Sequence, residues 1–350
     1  HRDLHSFPTR RSSDLNSADK ITKLSPVAAN PEAKCPTWEA FLARIMDGNT
    51  ELIAFLQRAI GYSLTGDDSE QCLFLLYGTG ANGKSTFLDT VKLLMGDYGK
   101  QAEFSTFLMR KNETVRNDIA DLRGARFVPA SEAESGQRLA ESVIKQMTGG
   151  EMLRARFLFS EYFEFRPTFK IFLAANHKPR ITGTDHAIWR RIRLIPFIVT
   201  IPEGERDPRL KAKLAAELPG ILNWALVGCT TWQEHGLGIP DEVRRATDAY
   251  RDEQDALSDF LAERCLLDVR CRVLKSELFA EYERWCARNN EDALKSRTFG
   301  SKLLERGVSD ERTKNSRYWR GIGILENPGK GDAGDTGDTI SETLRENVFS

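Results

Sequence analysis

The sequence predicts an α/β fold built around a nucleotide-binding loop. Two observations carry this expectation. An apolar, strand-like run, Phe74-Leu75-Leu76-Tyr77, enters the turn Gly78-Thr79-Gly80-Ala81-Asn82-Gly83 and leaves it into a helical pattern with apolar positions Phe87, Leu88, Val91, Leu94 and Met95. Further apolar strand-like runs recur at Ala125–Ala130, Thr168–Asn176 and Trp189–Phe197, with a helical pattern over Leu139–Met147 between the first two. Strand-like runs separated by helical patterns predict the α/β class.

The turn, with Lys84 and Ser85, satisfies G-x-x-x-x-G-K-[ST], the phosphate-binding loop. Its glycines let backbone N–H groups close on a polyphosphate, and the following helix adds free N–H groups and the positive end of its dipole. Gly78, Thr79, Gly80, Ala81, Asn82, Gly83, Lys84, Ser85 and Thr86 are therefore the expected ATP-binding stretch. Lys84 is expected to reach the β/γ-phosphates, and the Ser85 hydroxyl to hold Mg²⁺. A chance glycine-rich turn competes with this, but a chain of this length matches the pattern by luck only about one time in a hundred. The strand–loop–helix context lowers that further.

The 350 residues suffice for two or three domains. The net charge is −1, so there is no global basic signature of nucleic-acid binding and any such surface is local. Cys35, Cys72, Cys229, Cys265, Cys271 and Cys286 form no C-x-x-C pair, and the five histidines show no zinc-ligand spacing. Reduced thiols of a cytosolic protein are the expectation. No apolar run is long enough to cross a bilayer and no secretory signal is present, so no membrane partner is expected.

Residues 1–15, HRDLHSFPTRRSSDL, resemble a translated sequencing adapter and are expected to be non-native or disordered, with the natural N-terminus and any upstream domain missing. Residues 16–65 read as a helical N-terminal module. Pro36-Thr37 opens one amphipathic pattern, Trp38, Phe41, Leu42 and Ile45, and a second carries Leu52, Phe55, Leu56, Ile60 and Tyr62.

Residues 66–200 form the expected core. The strand-like run from Ala125 ends in Glu132 and Glu134. A phosphate-loop ATPase needs a carboxylate at such a strand end, one acid orienting the Mg²⁺ shell and a neighbour polarising the attacking water. Alternation in a strand faces both acids the same way, so a backbone distortion or a water bridge is expected to separate their roles. Asn176 ends the next apolar strand, where a polar side chain can touch the γ-phosphate or the lytic water. From Arg138 to Arg193 there are eleven Lys or Arg against five Asp or Glu, interleaved with Phe157, Phe159, Tyr162, Phe163 and Phe165. A solvated face with internal ion pairs is the plain explanation. The functional one is that some of these cations grip a polyanion and others complete a neighbour's ATP site.

The series GTGANGKST, ASEAE, VIKQMTGGEMLRARFLF, FLAANHKP and TDHAIWRRIRLIPF, in that order from about residue 73 to 197, resembles the superfamily 3 helicase part of phage and plasmid primases, the satellite-phage and poxvirus-like group. The segments before and after also resemble this family. The resemblance implies an AAA+-like P-loop ATPase, built around a mostly parallel sheet, that assembles as a ring, usually a homo-hexamer, with ATP between subunits. It further implies single-stranded DNA in the channel, 3′-to-5′ translocation, and a primase domain upstream or in trans. A phage or plasmid setting implies the cytoplasm of a bacterial host. The family's loop lysine and serine map to Lys84 and Ser85, its acidic motif to Glu132 and Glu134, and its polar sensor to Asn176. Its arginine finger maps to Arg190 or Arg191, with Arg193 next in line. Its DNA-contacting hairpin falls between Lys145 and Lys170, with Lys145, Arg154 and Arg156 as contacts and with Phe157 and Phe159 either in the pore or in the core. The acids here are Glu-x-Glu rather than an adjacent pair, so the assignment of Glu132 to the metal alongside Ser85, and of Glu134 to the water, stays open.

Residues 201–265 read as a helical lid and connector. Asp207-Pro208 is expected to start a helix, Pro219 to restart one, and Asp241–Cys265 to continue as helix. Residues 266–325 read as a winged-helix-like domain: helical patterns over Lys275–Arg288 and Leu294–Arg306, then a strand-like Tyr318–Ile322. Ser296, Arg297 and Lys302 are candidates for a phosphate-facing helix, with protein docking as the alternative use. The glycine- and aspartate-rich residues 326–350 are expected to be disordered.

The leading expectation is an ATP-dependent DNA helicase of phage or plasmid replication. An ATP-switched DNA-binding initiator without unwinding activity is the alternative, and a small-molecule kinase is a third. No polymerase-type carboxylate site is evident in residues 16–65, so primase chemistry is not assigned to this chain.

Overall fold

A computed structural model describes residues 23–110, 116–131, 137–181, 186–254, 256–289, 293–314 and 316–325. The chain divides into two compact units at Gln254–Asp255. The segments expected to be disordered, residues 1–15 and 326–350, lie outside the described residues.

The first unit runs α1 (Pro36–Ile45), α2 (Thr50–Ser63), β1 (Leu73–Tyr77), α3 (Lys84–Met95), α4 (Asn117–Ala120), β2 (Phe127–Ser131), α5 (Glu141–Thr148), β3 (Leu153–Ala155), β4 (Phe163–Phe165), β5 (Lys170–Ala175), α6 (His186–Trp189), β6 (Ile192–Pro196), α7 (Leu210–Ala216), α8 (Leu218–His235) and α9 (Asp241–Glu253). Its sheet is four-stranded, in the order β2-β5-β1-β6, and every pairing is parallel. Phe74, Leu76, Phe172, Ala174 and Ile195 point to one face; Leu73, Leu75, Ile171, Leu173 and Leu194 point to the other. Both faces are covered, which is why β1 and β5 read as apolar runs rather than as alternation. The register aligns Tyr77 with Ala175, so Gly78 and Asn176 leave the sheet at the same edge.

One face is covered by α1, α2, α3, α7 and α8, which share a single core with the sheet. The segments expected as an N-terminal module and a later lid thus form one layer. Asn49 caps α2 through Leu52 N at 3.1 Å. In place of a local cap, α1 uses Glu217, whose carboxylate oxygens accept from Thr37 N and Trp38 N at 3.1 Å each. Helices α2 and α8 cross closely because Gly61 lies against the backbone of Gly228 and Cys229, and Gly228 against that of Gln57. On the exposed edge of the sheet, α9 supplies Thr247, whose hydroxyl accepts from Leu194 N at 3.1 Å.

Two expected elements differ. Helix α7 begins at Leu210 rather than at Asp207-Pro208, because the Asp207 carboxylate folds onto Arg209 N (2.8 Å) and Lys213 Nζ (2.7 Å) in its own turn. The helix expected over Asp241–Cys265 is two helices, α9 and, in the second unit, α10, and Cys265 opens a strand.

The second unit runs α10 (Ala256–Arg264), β7 (Cys265–Leu266), β8 (Arg272–Leu274), α11 (Lys275–Arg288), α12 (Ser296–Glu305), β9 (Ser309–Arg312), β10 (Arg317–Arg320) and β11 (Gly323–Ile324). Strands β8-β10-β9 form an antiparallel three-stranded sheet, and β7 pairs with β11. Its core holds Phe260, Tyr282, Trp285, Phe299, Leu303 and Trp319. Helix α10, expected in the connector, belongs to this core through Leu257, Phe260 and Leu261.

Candidate functional site

The turn between β1 and α3 is pinned on both flanks. Gly83 is the N-cap of α3 at φ 84°, and a Cβ there would meet Ile45 Cγ2 at 2.6 Å, so α1 backs the loop directly. On the other flank Ala81 O accepts from Ile201 N at 2.7 Å, and the buried Asn82 donates its amide to Phe197 O at 3.3 Å. Ala81 sits at φ 48°, a conformation a non-glycine residue rarely holds. The first backbone bond of α3 runs from Phe87 N to Gly83 O, so the N–H groups of its first turn lie ahead of the helical ladder, at the loop. Gly78 is buried, Thr86 half-buried, and Thr79 and Ser85 exposed.

Lys84 lies at the centre, only 6% exposed. Its ammonium donates to Gly78 O (2.5 Å), Asn82 Oδ1 (3.0 Å) and Asn176 Oδ1 (3.1 Å). All three acceptors are neutral, and burial lowers the Lys84 pKa to about 8. A desolvated cation among neutral dipoles favours an incoming polyanion. The expected sensor Asn176 thus touches the loop lysine. Glu132 and Glu134 lie outside the described residues. Ser131, the last residue of β2, pairs with Ala174 on β5, so β2 is separated from β1 by the strand that leads to Asn176. Among the described residues no group of three His, Cys, Asp or Glu side chains could hold a metal, and Ser85 is the described member of the expected Mg²⁺ pair.

A cavity of about 590 Å³ opens beside the loop, against Ala81, Gly83 and Thr86. Phe41, Ile201 and Leu210 give it apolar walls, and Arg44 and Glu205 form an ion pair of 2.9 Å at its lining. Sequence reasoning did not single out Phe41 and Ile45 as part of the site. Their only signal is the i, i+4 spacing on α1, and that spacing marks ordinary core equally well.

The arginine cluster separates by environment. Arg191 is buried; its Nε donates to Thr148 Oγ1 at 3.1 Å and its Nη1 to Ala187 O at 2.6 Å, tying α5 and α6 to β6. Arg193 turns back on the backbone carbonyls of Arg190 (2.6 Å) and Ile192 (3.1 Å). Arg190 is exposed. Of the two expected finger residues, only Arg190 presents its guanidinium to solvent.

The expected hairpin is β3–β4, with Leu153 opposite Phe165 and Ala155 opposite Phe163. Arg154 and Arg156 both lie over the Tyr162 ring, at 4.5 and 4.7 Å from its centroid. Phe157, Leu158 and Phe159 stand exposed in the connecting loop, Phe159 at 99% with φ 61°, which places both phenylalanines outside the core. Lys145 is on α5, ahead of the hairpin, and is half-buried. Lys170 is buried at the start of β5, where it donates to Thr65 O at 2.7 Å. In the second unit Ser296 and Arg297 are exposed on α12, whereas Lys302 is 7% exposed; the phosphate-facing role expected for Lys302 is corrected by its place in the core side of the helix. No described helix is long and apolar enough to cross a membrane.

A family profile described as "Family of unknown function (DUF5906)" matches residues 76–191, and one described as "Poxvirus D5 protein-like" matches residues 252–315. The chain is 30% identical to "Putative helicase L207/L206" of Acanthamoeba polyphaga mimivirus over 57% of its length and 23% of that protein's. It is 24% identical to "Putative primase C962R" of African swine fever virus (isolate Warthog/Namibia/Wart80/1980) over 69% of its length and 27% of that protein's. The matched part is about a quarter of these relatives. "The apo structure of NrS-1 C terminal region (305-718)" aligns over 84% of this chain and 78% of that one, with 10% identity and a TM-score of 0.49. These sequence matches, to putative helicases and primases of large DNA viruses, support a primase-helicase family for the chain.

Proposed function

We propose that this chain is the ATP-hydrolysing helicase segment of a replication primase-helicase, with an AAA+-like fold, and that it translocates on single-stranded DNA as a ring. One observation carries the reading: the buried Lys84 ammonium, held by Gly78 O, Asn82 and Asn176 at the shared edge of β1 and β5. A loop lysine already in contact with a polar side chain from the adjacent strand fits a site in which the lysine neutralises the β/γ-phosphates and Asn176 reports on the terminal one. The cavity against Thr86 fits the nucleoside that follows the α-phosphate. Ser85 and Glu132 would hold Mg²⁺, which supplies charge neutralisation on the phosphate oxygens, and Glu134 would orient the attacking water. Exposed Arg190 suits a finger donated to a neighbouring subunit, which makes turnover depend on assembly.

The β3–β4 hairpin suits the DNA contact. Arg154 and Arg156, stacked on Tyr162 beside exposed phenylalanines, combine charge for the backbone with ring faces for bases and read no sequence. Helices α11 and α12 followed by the β9–β10 hairpin fit a winged-helix arrangement. The test is ATP turnover and strand displacement on a 3′-tailed duplex by the purified chain. DNA-stimulated turnover with displacement is the expected result. Turnover and ring formation without displacement would leave the ATP-switched initiator, and turnover indifferent to DNA would remove both.

A further inference from the structure

The second unit carries a cationic surface that the ATP site and the β3–β4 hairpin do not use. In the β9–β10 hairpin Arg312 stands directly opposite Arg317, and Arg320 stands directly opposite Arg272 of β8. Like charges at cross-strand positions destabilise a sheet, so two such pairs in one small sheet work against the fold. Of the acids on these strands one pairs outside both positions and the other offsets Arg272 alone. Asp310 pairs with Lys275 at 2.7 Å, and Glu311 lies 3.8 Å from Arg272. Arg272 is further stacked on Tyr318 at 3.7 Å, and Lys275 on Trp319 at 3.8 Å. Arg312, Lys314, Arg317 and Arg320 are left exposed, with no carboxylate partner among the described residues. The turn that presents Lys314 is closed by Thr313 N donating to Ser316 O at 2.9 Å.

The geometry points to the hairpin Ser309–Arg320 as a binding surface for a nucleic-acid phosphate backbone, centred on Arg312 and Arg317 and separate from the ATP site. Three of its four free cations are arginines, whose planar forks match phosphate oxygens two at a time. Directly opposed residues in an antiparallel pair have Cα atoms about 4.5–5.5 Å apart, so both guanidinium groups meet a partner only if its negative charges are equally dense. A nucleic-acid backbone is such a partner. An acidic protein patch is the competing one. The inference does not rest on the helicase reading.

The test uses the full chain without nucleotide, with fluorescently labelled duplex and single-stranded DNA of one sequence, titrated over a range of salt. Each phosphate contact contributes about 0.9 to the slope of log K against log salt on duplex and about 0.7 on single strands. Arg312→Ala with Arg317→Ala should lower that slope by about 2 on duplex or about 1.4 on single strands, and the arm that changes identifies the form bound. Arg317→Ala alone should give half the change, and Arg312→Lys with Arg317→Lys should restore most of the slope. Loss of a like-charge pair should leave the melting temperature unchanged or raise it, so weaker binding without loss of stability separates a binding role from a structural one. ATP turnover in the absence of DNA should not change. Unchanged slope and affinity on both DNA forms would overturn the inference and leave a protein partner for the surface. Complete loss of binding in Arg154→Ala with Arg156→Ala would overturn it too, since the second unit would then hold no site of its own.

Discussion

The Lys84 ammonium donates to the side-chain oxygen of Asn176 at 3.1 Å, joining residues 92 positions apart in the chain. The contact exists because β5 inserts between β2 and β1, bringing a polar strand tip beside the loop. It joins the phosphate loop to the expected polar sensor. Lys84→Ala should abolish ATP turnover, and Asn176→Ala should lower turnover more than it lowers nucleotide affinity. Normal turnover in Lys84→Ala would remove the loop from the site.

Burial holds two lysines below their ordinary 10.5, Lys84 at about 8 and Lys170 at about 7. The folded protein therefore binds fewer protons than the unfolded chain between those values and 10.5. The cost of burying each ammonium is present in full below its folded pKa and is relieved as pH rises above it. Burial pushes the Cys35 and Cys72 thiols from 9.0 to about 11 and about 12, which has the opposite sign and lowers stability above pH 9. Thermal melts should show stability of the first unit rising from pH 7, levelling off above pH 9 where the thiols offset the lysines, and falling above pH 10.5. Lys170→Met should flatten the rise between pH 7 and 8. Nucleotide affinity should fall above pH 8 as Lys84 loses its proton.

Arg190 and Arg191 should separate cleanly. Arg191→Ala removes the donor to the buried Thr148 hydroxyl and should cost roughly 1–3 kcal/mol of stability. Arg190→Ala should leave the melting temperature unchanged and slow ATP turnover by ~10³–10⁵-fold in assembled protein. Mixing Arg190→Ala with Lys84→Ala subunits should restore some sites. An unaffected turnover in Arg190→Ala would move the finger elsewhere.

Gly61→Ala should be among the most damaging single-methyl changes in the first unit. The added carbon would overlap the backbone of Gly228 and Cys229, so α2 and α8 must separate. Overpacking of this kind costs about 1–3 kcal/mol or more, read as a lowered denaturation midpoint with the second unit unaffected.

Tyr162→Ala should reduce DNA-stimulated turnover while leaving turnover without DNA intact. Its ring aligns both Arg154 and Arg156, so its loss frees two guanidinium groups at once. Tyr162→Phe keeps the ring and should retain the stimulation. A loss equal to that in Tyr162→Ala would assign the role to the hydroxyl.

Amino-acid order alone determined strands β1 and β5, because each is an apolar run too continuous to be half-exposed. It also determined the phosphate-loop pattern, because Gly78, Gly83, Lys84 and Ser85 are contiguous and their chemistry is local. Tertiary structure decided what depends on distant residues meeting. Arg190 and Arg191 are neighbours with the same charge, and only the position of Thr148 and Ala187 makes one an anchor and leaves the other exposed. Lys302 and Arg297 share a helix, and packing of the second unit buries the first alone. The helices before the loop and after the sheet read as separate modules because nothing local reports that Gly61 and Gly228 will touch. Close approach is a property of the pair, and neither glycine carries it alone.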